Sequence, residues 1–180
     1  MPLPFNHVIA AIQQLALGIT FLIIGVAARR YGDQAQQAAE QEVNDQGIAK
    51  EKDFLLKHKV KFSESSAEML LPLAIGVLLL AVGILNLTDS GLSWTLSWLI
   101  EPLLLVIVGS VTSGQIFASS YLKRAFKKSQ DAQLRQIDVD ALVKRASTAF
   151  PAWLQPLQMV RFALATVGSV VVMVVFALQK

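Results

Sequence analysis

The chain has 180 residues, of which 54% are hydrophobic and only 16% are charged, and it contains no cysteine. A soluble domain usually carries about 25% charged residues, and here the charge is concentrated in two segments between apolar stretches. This pattern excludes a soluble globular enzyme and a nucleic-acid-binding domain, despite the net charge of +3. It predicts an all-α polytopic membrane protein with four transmembrane helices and helical cytoplasmic extensions, organised as a single membrane domain over residues 1–180.

Four apolar stretches are long enough to cross a bilayer as helices. A hydrocarbon core of about 30 Å needs about 20 helical residues. The predicted transmembrane helices cover residues 8–28, 69–88, 102–122 and 160–178. A cleaved signal peptide needs basic residues before its apolar core. Here Arg29 and Arg30 follow the first stretch instead, so we expect an uncleaved anchor.

Basic residues are concentrated in the two long connecting segments, 29–68 and 123–157. Of the 16 lysines and arginines, only Arg161 and Lys180 lie elsewhere, and the 86–93 connection has none. The positive-inside rule therefore predicts that both long segments are cytoplasmic and that both termini lie outside. We expect an integral protein of the cell (inner) membrane.

The long segments carry their own helix signals. Residues 33–47 are rich in Ala, Gln and Glu, which predicts that the first helix continues beyond the membrane and ends near Asn44 to Gly47. Ser65 and Glu68 match a capping box that would start the second transmembrane helix.

Segment 123–157 contains a second helix signal. We predict a helix over Asp138–Phe150, with Asp138 or Asp140 as its N-cap.

Small residues recur at helix-packing spacing within the apolar stretches, among them Gly18, Gly25, Gly76 and Gly83. Small residues let helix backbones approach closely in lipid. They fit packing within one four-helix bundle, or a face for dimerisation or oligomerisation.

Glu101 is the one acidic residue that hydropathy alone would place inside the membrane. Because Pro102 follows it and proline is favoured at the first helical position, we predict a helix start at Pro102 and a separate interfacial segment over residues 91–100. The alternatives are an embedded functional carboxylate and a buried pair with a partner subunit. Arg161 is a poor partner within the chain, since it enters the fourth helix from the opposite side.

Other polar residues are predicted at membrane depth. Gln13 and Gln14 lie in the first stretch, and Gln115 shares a helix face with Thr112 and Ser119 in the third. They indicate either the lining of a hydrophilic path or hydrogen bonds between helices, which contribute about 0.6 kcal/mol each on average.

Two basic clusters lie close to the membrane in the long segments. They are candidates for binding anionic lipid head groups, at about 1 kcal/mol per charge, or serve only as topology signals. Their members are Lys57, Lys59, Lys61, Lys123, Arg124, Lys127 and Lys128.

No motif for catalysis, cofactor binding or metal binding is recognisable, because the two histidines are far apart in the sequence and no phosphate-binding or nucleophile motif occurs. We therefore expect no enzyme and no cofactor. The leading hypothesis is a non-catalytic accessory or scaffolding subunit of a larger membrane complex. The alternative is a homo-oligomeric channel or small transporter that uses a membrane-edge carboxylate at Glu101, together with Gln13, Gln14 and the face of Thr112, Gln115 and Ser119. The expected partners are the lipid bilayer, including anionic lipids, and other subunits or further copies of the chain, with no nucleic acid.

Overall fold

Long helices dominate the computed structural model, which describes residues 4–49, 51, 53–63, 65–88 and 91–178. Within these residues, four helices are long and apolar enough to cross a membrane: Phe5–Asp45, Ala67–Leu87, Gly91–Ile116 and Leu154–Leu178. We refer to them as the first to fourth spans. The protein is therefore an all-α polytopic membrane protein, which confirms the predicted fold class.

The third and fourth spans are each interrupted by a short π-helical segment, π1 and π2. In chain order the elements are α1 (Phe5–Asp45), α2 (Phe54–Lys57), α3 (Ser66–Leu87), α4 (Gly91–Leu103), π1 (Leu104–Val108), α5 (Gly109–Ile116), α6 (Ala118–Lys128), α7 (Ala132–Gln136), α8 (Val139–Ser147), α9 (Leu154–Ala163), π2 (Leu164–Gly168) and α10 (Ser169–Leu178).

The chain divides into two compact units, where the sequence analysis treated it as one membrane domain. The membrane unit consists of Met1–Gly25, Leu70–Ile116 and Gln155–Lys180. The polar unit consists of Val26–Met69 and Phe117–Leu154.

The third span differs from its predicted extent. Its helix begins at Gly91 rather than at Pro102, and it ends at Ile116 rather than at residue 122. The predicted separate segment 91–100 is therefore part of the same helix. The connection that precedes it includes residues 89 and 90, which lie outside the described residues.

Local signals place the end of α1 where the sequence predicts it. Gly47 has a φ of +71°, a conformation that glycine adopts without steric cost. Its N–H donates to the Asn44 carbonyl oxygen at 2.8 Å, and the Ile48 N–H donates to the Val43 carbonyl oxygen at 3.3 Å. These two bonds form a Schellman motif, which satisfies carbonyl groups at the helix end.

Two predicted N-caps are also confirmed. The Glu68 N–H donates to Ser65 Oγ at 3.2 Å, and the Ser65 N–H donates back to a Glu68 carboxylate oxygen at 2.7 Å. Asp138 caps α8 by accepting the N–H groups of Asp140 and Ala141 at 3.0 and 3.2 Å. The α8 helix ends at Ser147, three residues before the predicted end at Phe150.

Glycines allow close contact between α1 and α3. A Cβ added at Gly18 would lie 2.9 Å from the Gly76 carbonyl oxygen, and one at Gly83 would lie 2.8 Å from Leu15 Cγ. In lipid, such close packing supplies the dispersion energy that hydrophobicity cannot. These glycines therefore serve packing within one chain, as the first of the two sequence interpretations expected.

The polar unit has its own apolar core. Its fully buried centre includes Val43 of α1, Leu55 of α2 and Leu142 of α8. Glu40 holds the start of α2 in place, because its carboxylate accepts the Leu55 N–H at 2.9 Å. The acidic part of α1 thus orders the connecting segment that folds back on it.

His58 joins two parts of the polar unit that are distant in sequence. Its Nδ1 lies 2.9 Å from the Phe54 carbonyl oxygen and its Nε2 lies 2.8 Å from a carboxylate oxygen of Asp131. Both ring nitrogens face acceptors, so only the imidazolium satisfies both. The pKa of His58 is raised, first by the Phe54 carbonyl and also by Asp131. The pKa of Asp131 is lowered, first by the Gln133 backbone N–H and then by His58.

We predict that raising the pH loosens this contact. Because the folded-state pKa of His58 lies above its usual value of about 6.5, its contribution is complete below about pH 6.5 and is lost as the pH rises through the folded-state value. The contribution of Asp131 is present above about pH 4 and is lost as the pH falls through its lowered pKa. Amide-exchange protection factors of Phe54–Lys57 should therefore fall as the pH rises above about 6.5 and through the raised pKa of His58. His58→Gln should remove this fall, and an equal fall in the variant would contradict the assignment.

We also predict that the contact between Gly18 and Gly76 does not tolerate an added methyl group. Gly18→Ala gains helix propensity, as does Gly114→Ala, where an added Cβ would meet no atom of the described chain within 4 Å. Only the first variant clashes with backbone. Its free energy of unfolding in detergent should therefore be lower than that of Gly114→Ala by about 1–3 kcal/mol. Equal free energies of unfolding for the two variants would mean that α1 and α3 accommodate the added methyl group without loss of stability.

Candidate functional site

Glu101 lies in the interior of the third span, and its side chain has no exposed surface. It is ten residues beyond the helix start at Gly91, which corresponds to about 15 Å along the axis. The prediction that Glu101 precedes a helix start at Pro102 is therefore wrong. The local preference of a Glu-Pro pair for a helix start is outweighed by the partners that surround the carboxylate.

Two adjacent glutamines of α1 hold the Glu101 carboxylate. Gln14 Nε2 donates to Oε1 at 2.8 Å, and Gln13 Nε2 donates to Oε2 at 3.4 Å. Both glutamine side chains are buried. In the described part of the chain, no lysine, arginine or histidine forms an ion pair with this carboxylate. The carboxylate is thus satisfied by neutral amides.

A chain of polar side chains continues from Gln14 towards one end of the spans. Gln14 Nε2 also donates to Ser97 Oγ at 3.1 Å, and Asn86 Nδ2 donates to Gln14 Oε1 at 2.9 Å and to Ser97 Oγ at 3.0 Å. His7 Nδ1 lies 3.0 Å from Asn86 Oδ1 and 3.1 Å from Ser93 Oγ. Since His7 is close to the start of α1 and Asn86 is close to the end of α3, the chain leads from the helix ends to the interior.

A second branch joins Glu101 to the fourth span through Gln13. Gln13 Nε2 lies 3.1 Å from the Leu164 carbonyl oxygen and 3.5 Å from Ser169 Oγ. Gly168 allows this approach, because a Cβ at that position would lie 3.0 Å from Gln13 Cγ. All four spans therefore contribute to one buried polar network, which we define as His7, Gln13, Gln14, Asn86, Ser93, Ser97, Glu101, Leu164 and Ser169.

Both π-helical segments lie next to this network. The segment π1 begins three residues after Glu101, π2 begins at Leu164, and the two pack against each other. Pro102 removes one backbone donor from the third span, and the wider turn of a π segment is one way to accommodate such a loss. Single π turns within α-helices are frequent at functional sites. Here they flank the buried carboxylate.

The polar residues of the other half of the membrane unit form a separate contact. The Arg161 guanidinium donates to Gln115 Oε1 and lies 5.2 Å from the centre of the Phe21 ring. Thr112 is buried in α5, whereas Ser119 lies in α6 beyond the end of the third span. The predicted face of Thr112, Gln115 and Ser119 is thus not continuous, and it does not reach Glu101.

The basic clusters lie at the surface of the polar unit. Their members are all exposed, and several form ion pairs: Lys57 with Glu51, Lys61 with Glu68, and Lys123 with Asp140. Lys123 lowers the pKa of Asp140. A surface groove of about 330 Å³ is lined by Lys123, Lys127 and Arg135 above an apolar floor.

Gln13, Gln14 and Glu101 were all predicted from the sequence as candidate polar residues of a channel or transporter, but no hydrogen bonds between them were predicted. Their partners His7, Asn86 and Ser169 were missed, because no local pattern relates residues on different helices. One signal was available: Ser93, Ser97 and Glu101 recur at every fourth residue, which places them on one face of a helix that includes all three. The predicted helix start at Pro102 concealed that face.

Comparisons of the chain with protein-family models, with curated proteins and with solved structures give no match. The function proposed for the chain therefore depends on the geometry of its own residues.

Proposed function

We propose that the protein is a small membrane transporter or channel in which the Glu101 carboxyl group takes up and releases a proton or another monovalent cation. The observation that carries this proposal is the complete burial of Glu101 among side chains of the membrane unit. Ionisable residues within membrane spans are costly and mark ion and proton sites. A glutamine of similar volume would pack without an ionisable group, so packing alone does not require the acid.

The polar network supports access from one end of the bundle. Its hydrogen bonds extend from Glu101 through Gln14 and Asn86 to His7. The His7 imidazole and the amides of the two intervening residues each donate or accept hydrogen bonds, so they form a continuous polar path. We infer that protons or cations reach Glu101 along this side.

The second candidate function is that of a non-catalytic accessory or scaffolding subunit, without enzyme activity, that docks partners through its spans and its polar unit. Its supporting observation is the surface of α6, on which Lys123 and Lys127 are exposed while Phe126 packs into the core. Such a basic face suits an anionic lipid surface or an acidic subunit. Further copies of the chain would also serve as partners, in a homo-oligomer. Co-purification of larger proteins in mild detergent, without flux by the chain alone, would favour this role.

We further propose that the protein lies in the inner membrane with its termini outside and its polar unit in the cytoplasm. The support is the concentration of lysine and arginine in the two long connecting segments, which is the bias that sets orientation in membrane insertion.

This orientation predicts a specific labelling pattern. The chain has no native cysteine, so single cysteines report accessibility without background. Gln37→Cys and Gln130→Cys, both exposed in the polar unit, should resist a membrane-impermeant maleimide in intact cells and react after permeabilisation. Thr88→Cys, which is exposed at the end of α3, should react in intact cells. The opposite pattern would reverse the assigned orientation.

The transport proposal predicts proton flux that depends on Glu101. Purified protein in liposomes should acidify the lumen when a potassium diffusion potential drives protons inwards, as followed by an enclosed pH-sensitive dye. Glu101→Gln should reduce the flux to that of protein-free liposomes, because an amide cannot release a proton.

The control variant is Asp33→Asn, which makes the same change at an exposed acid of the polar unit and should retain flux. Melting in detergent separates transport from packing, because Glu101→Gln should melt no lower than the native chain once the cost of burying an ionisable group is removed. Absence of flux of protons, sodium and potassium in the native chain would overturn the transport proposal and leave the accessory role.

A further inference from the structure

We propose that Glu101, Gln13, Leu164 and Ser169 form a binding site for a dehydrated alkali-metal cation, an inference that rests on the proposed function of Glu101 and specifies what occupies the site. The site lies where the third and fourth spans meet α1. Its elements are a carboxylate, a side-chain amide, a backbone carbonyl and a hydroxyl. All are oxygen ligands of the kind that bind hard cations.

Three oxygens converge on one point of this site. Gln13 Nε2 lies 3.4 Å from Glu101 Oε2, 3.1 Å from the Leu164 carbonyl oxygen and 3.5 Å from Ser169 Oγ. An amide nitrogen carries only two hydrogens, so it cannot donate to all three oxygens at once. The Gln13 amide thus sits at the centre of a cage that offers more acceptors than the amide can satisfy.

Gln13 Oε1 supplies the second, independent observation. It is buried and has no hydrogen-bond partner within the described chain, although Gln13 is only 5% exposed. A buried acceptor without a donor destabilises the fold. Rotation of the amide by about 180° exchanges its oxygen and nitrogen, which would turn Oε1 towards the other three oxygens. Four oxygens would then face a cation.

The charge of the site determines which valence of cation it favours. The cage holds one carboxylate and three neutral oxygens, so a monovalent cation makes the site neutral, whereas a divalent cation leaves one positive charge inside the membrane. That charge is costly in a medium of low dielectric constant. When the cation binds, the Glu101 carboxyl group releases its proton to bulk solvent and the carboxylate takes up the cation, which balances charge.

The position of π2 agrees with this assignment. Leu164, whose carbonyl oxygen lines the cage, is the first residue of π2. Membrane proteins coordinate alkali cations with backbone carbonyls where a span departs from regular α-helix. The Leu164 carbonyl oxygen of this irregular turn would therefore serve as one ligand of the cation.

The test measures thermal stability of the full chain in detergent with sodium, potassium or N-methyl-glucamine chloride at equal ionic strength, and with calcium as the divalent probe. A ligand that binds only the folded state raises Tm, and we expect a saturable rise of at least about 3 °C with sodium or potassium. The comparison of the two salts identifies the preferred ion. Glucamine and calcium should give no such rise.

Variants assign the rise to the cage. Gln13→Met, which keeps the volume and removes the amide, and Glu101→Gln should both abolish it, and Ser169→Ala should shift its midpoint to higher salt. The matched control is Thr112→Val, which removes a buried hydroxyl outside the cage and should keep the rise. Ser169→Ala makes the smallest change, so it serves the test if either of the first two variants fails to fold.

The outcomes separate this inference from the proposed function. Equal Tm in all salts, or a rise that persists in Glu101→Gln, would overturn the cation site. Proton flux in glucamine medium together with equal Tm would overturn the cation site and leave the proposed function standing. A cation-dependent rise that Glu101→Gln abolishes, with flux of protons, sodium and potassium all absent in the native chain, would support the site and overturn transport.

Discussion

The Glu101 carboxylate can remain inside the membrane unit only if donors surround it, and this constraint governs the position of α1. Gln13 and Gln14 supply those donors from adjacent positions of one helix, so α1 must run alongside the third span with this pair at the depth of Glu101. The apolar window of α1 is accordingly 56% buried, against 28%, 39% and 28% for the other spans. The helix that carries the amides is the centre of the bundle.

The same constraint sets the register of the remaining spans. While the Gln14 side-chain nitrogen donates to Glu101, the side-chain oxygen Oε1 of Gln14 needs a donor of its own. Asn86 of α3 provides this donor. Gln13 in turn fixes the fourth span through the Leu164 carbonyl. Close glycine packing between α1 and α3 is compatible with only a few registers, and Gly18 opposite Gly76 selects the one that the polar contacts need. Apolar packing and polar pairing therefore favour the same arrangement.

Features that depend on a few neighbouring residues could be predicted from the sequence. The end of α1 at Gly47, the capping box of Ser65 and Glu68, and the Asp138 cap all follow from short-range backbone chemistry, and each is present. The start of the third span was missed for the same reason. Glu101 and Pro102 resemble a helix start locally, and only partners on other helices show that the helix has already run for ten residues.

The candidate site lies beyond sequence prediction because its chemistry arises from convergence. Glu101 and Ser169 lie 88 and 156 positions after Gln13 in the sequence. Each of the three alone is an ordinary polar residue of a membrane helix. Together they surround one amide nitrogen with more acceptors than it can satisfy, and they leave its oxygen without a donor. A network that served packing alone would balance donors and acceptors, since each imbalance destabilises the fold. At Gln13 this imbalance lies next to the buried Glu101 carboxylate and to π2, and a cation bound there would restore the balance.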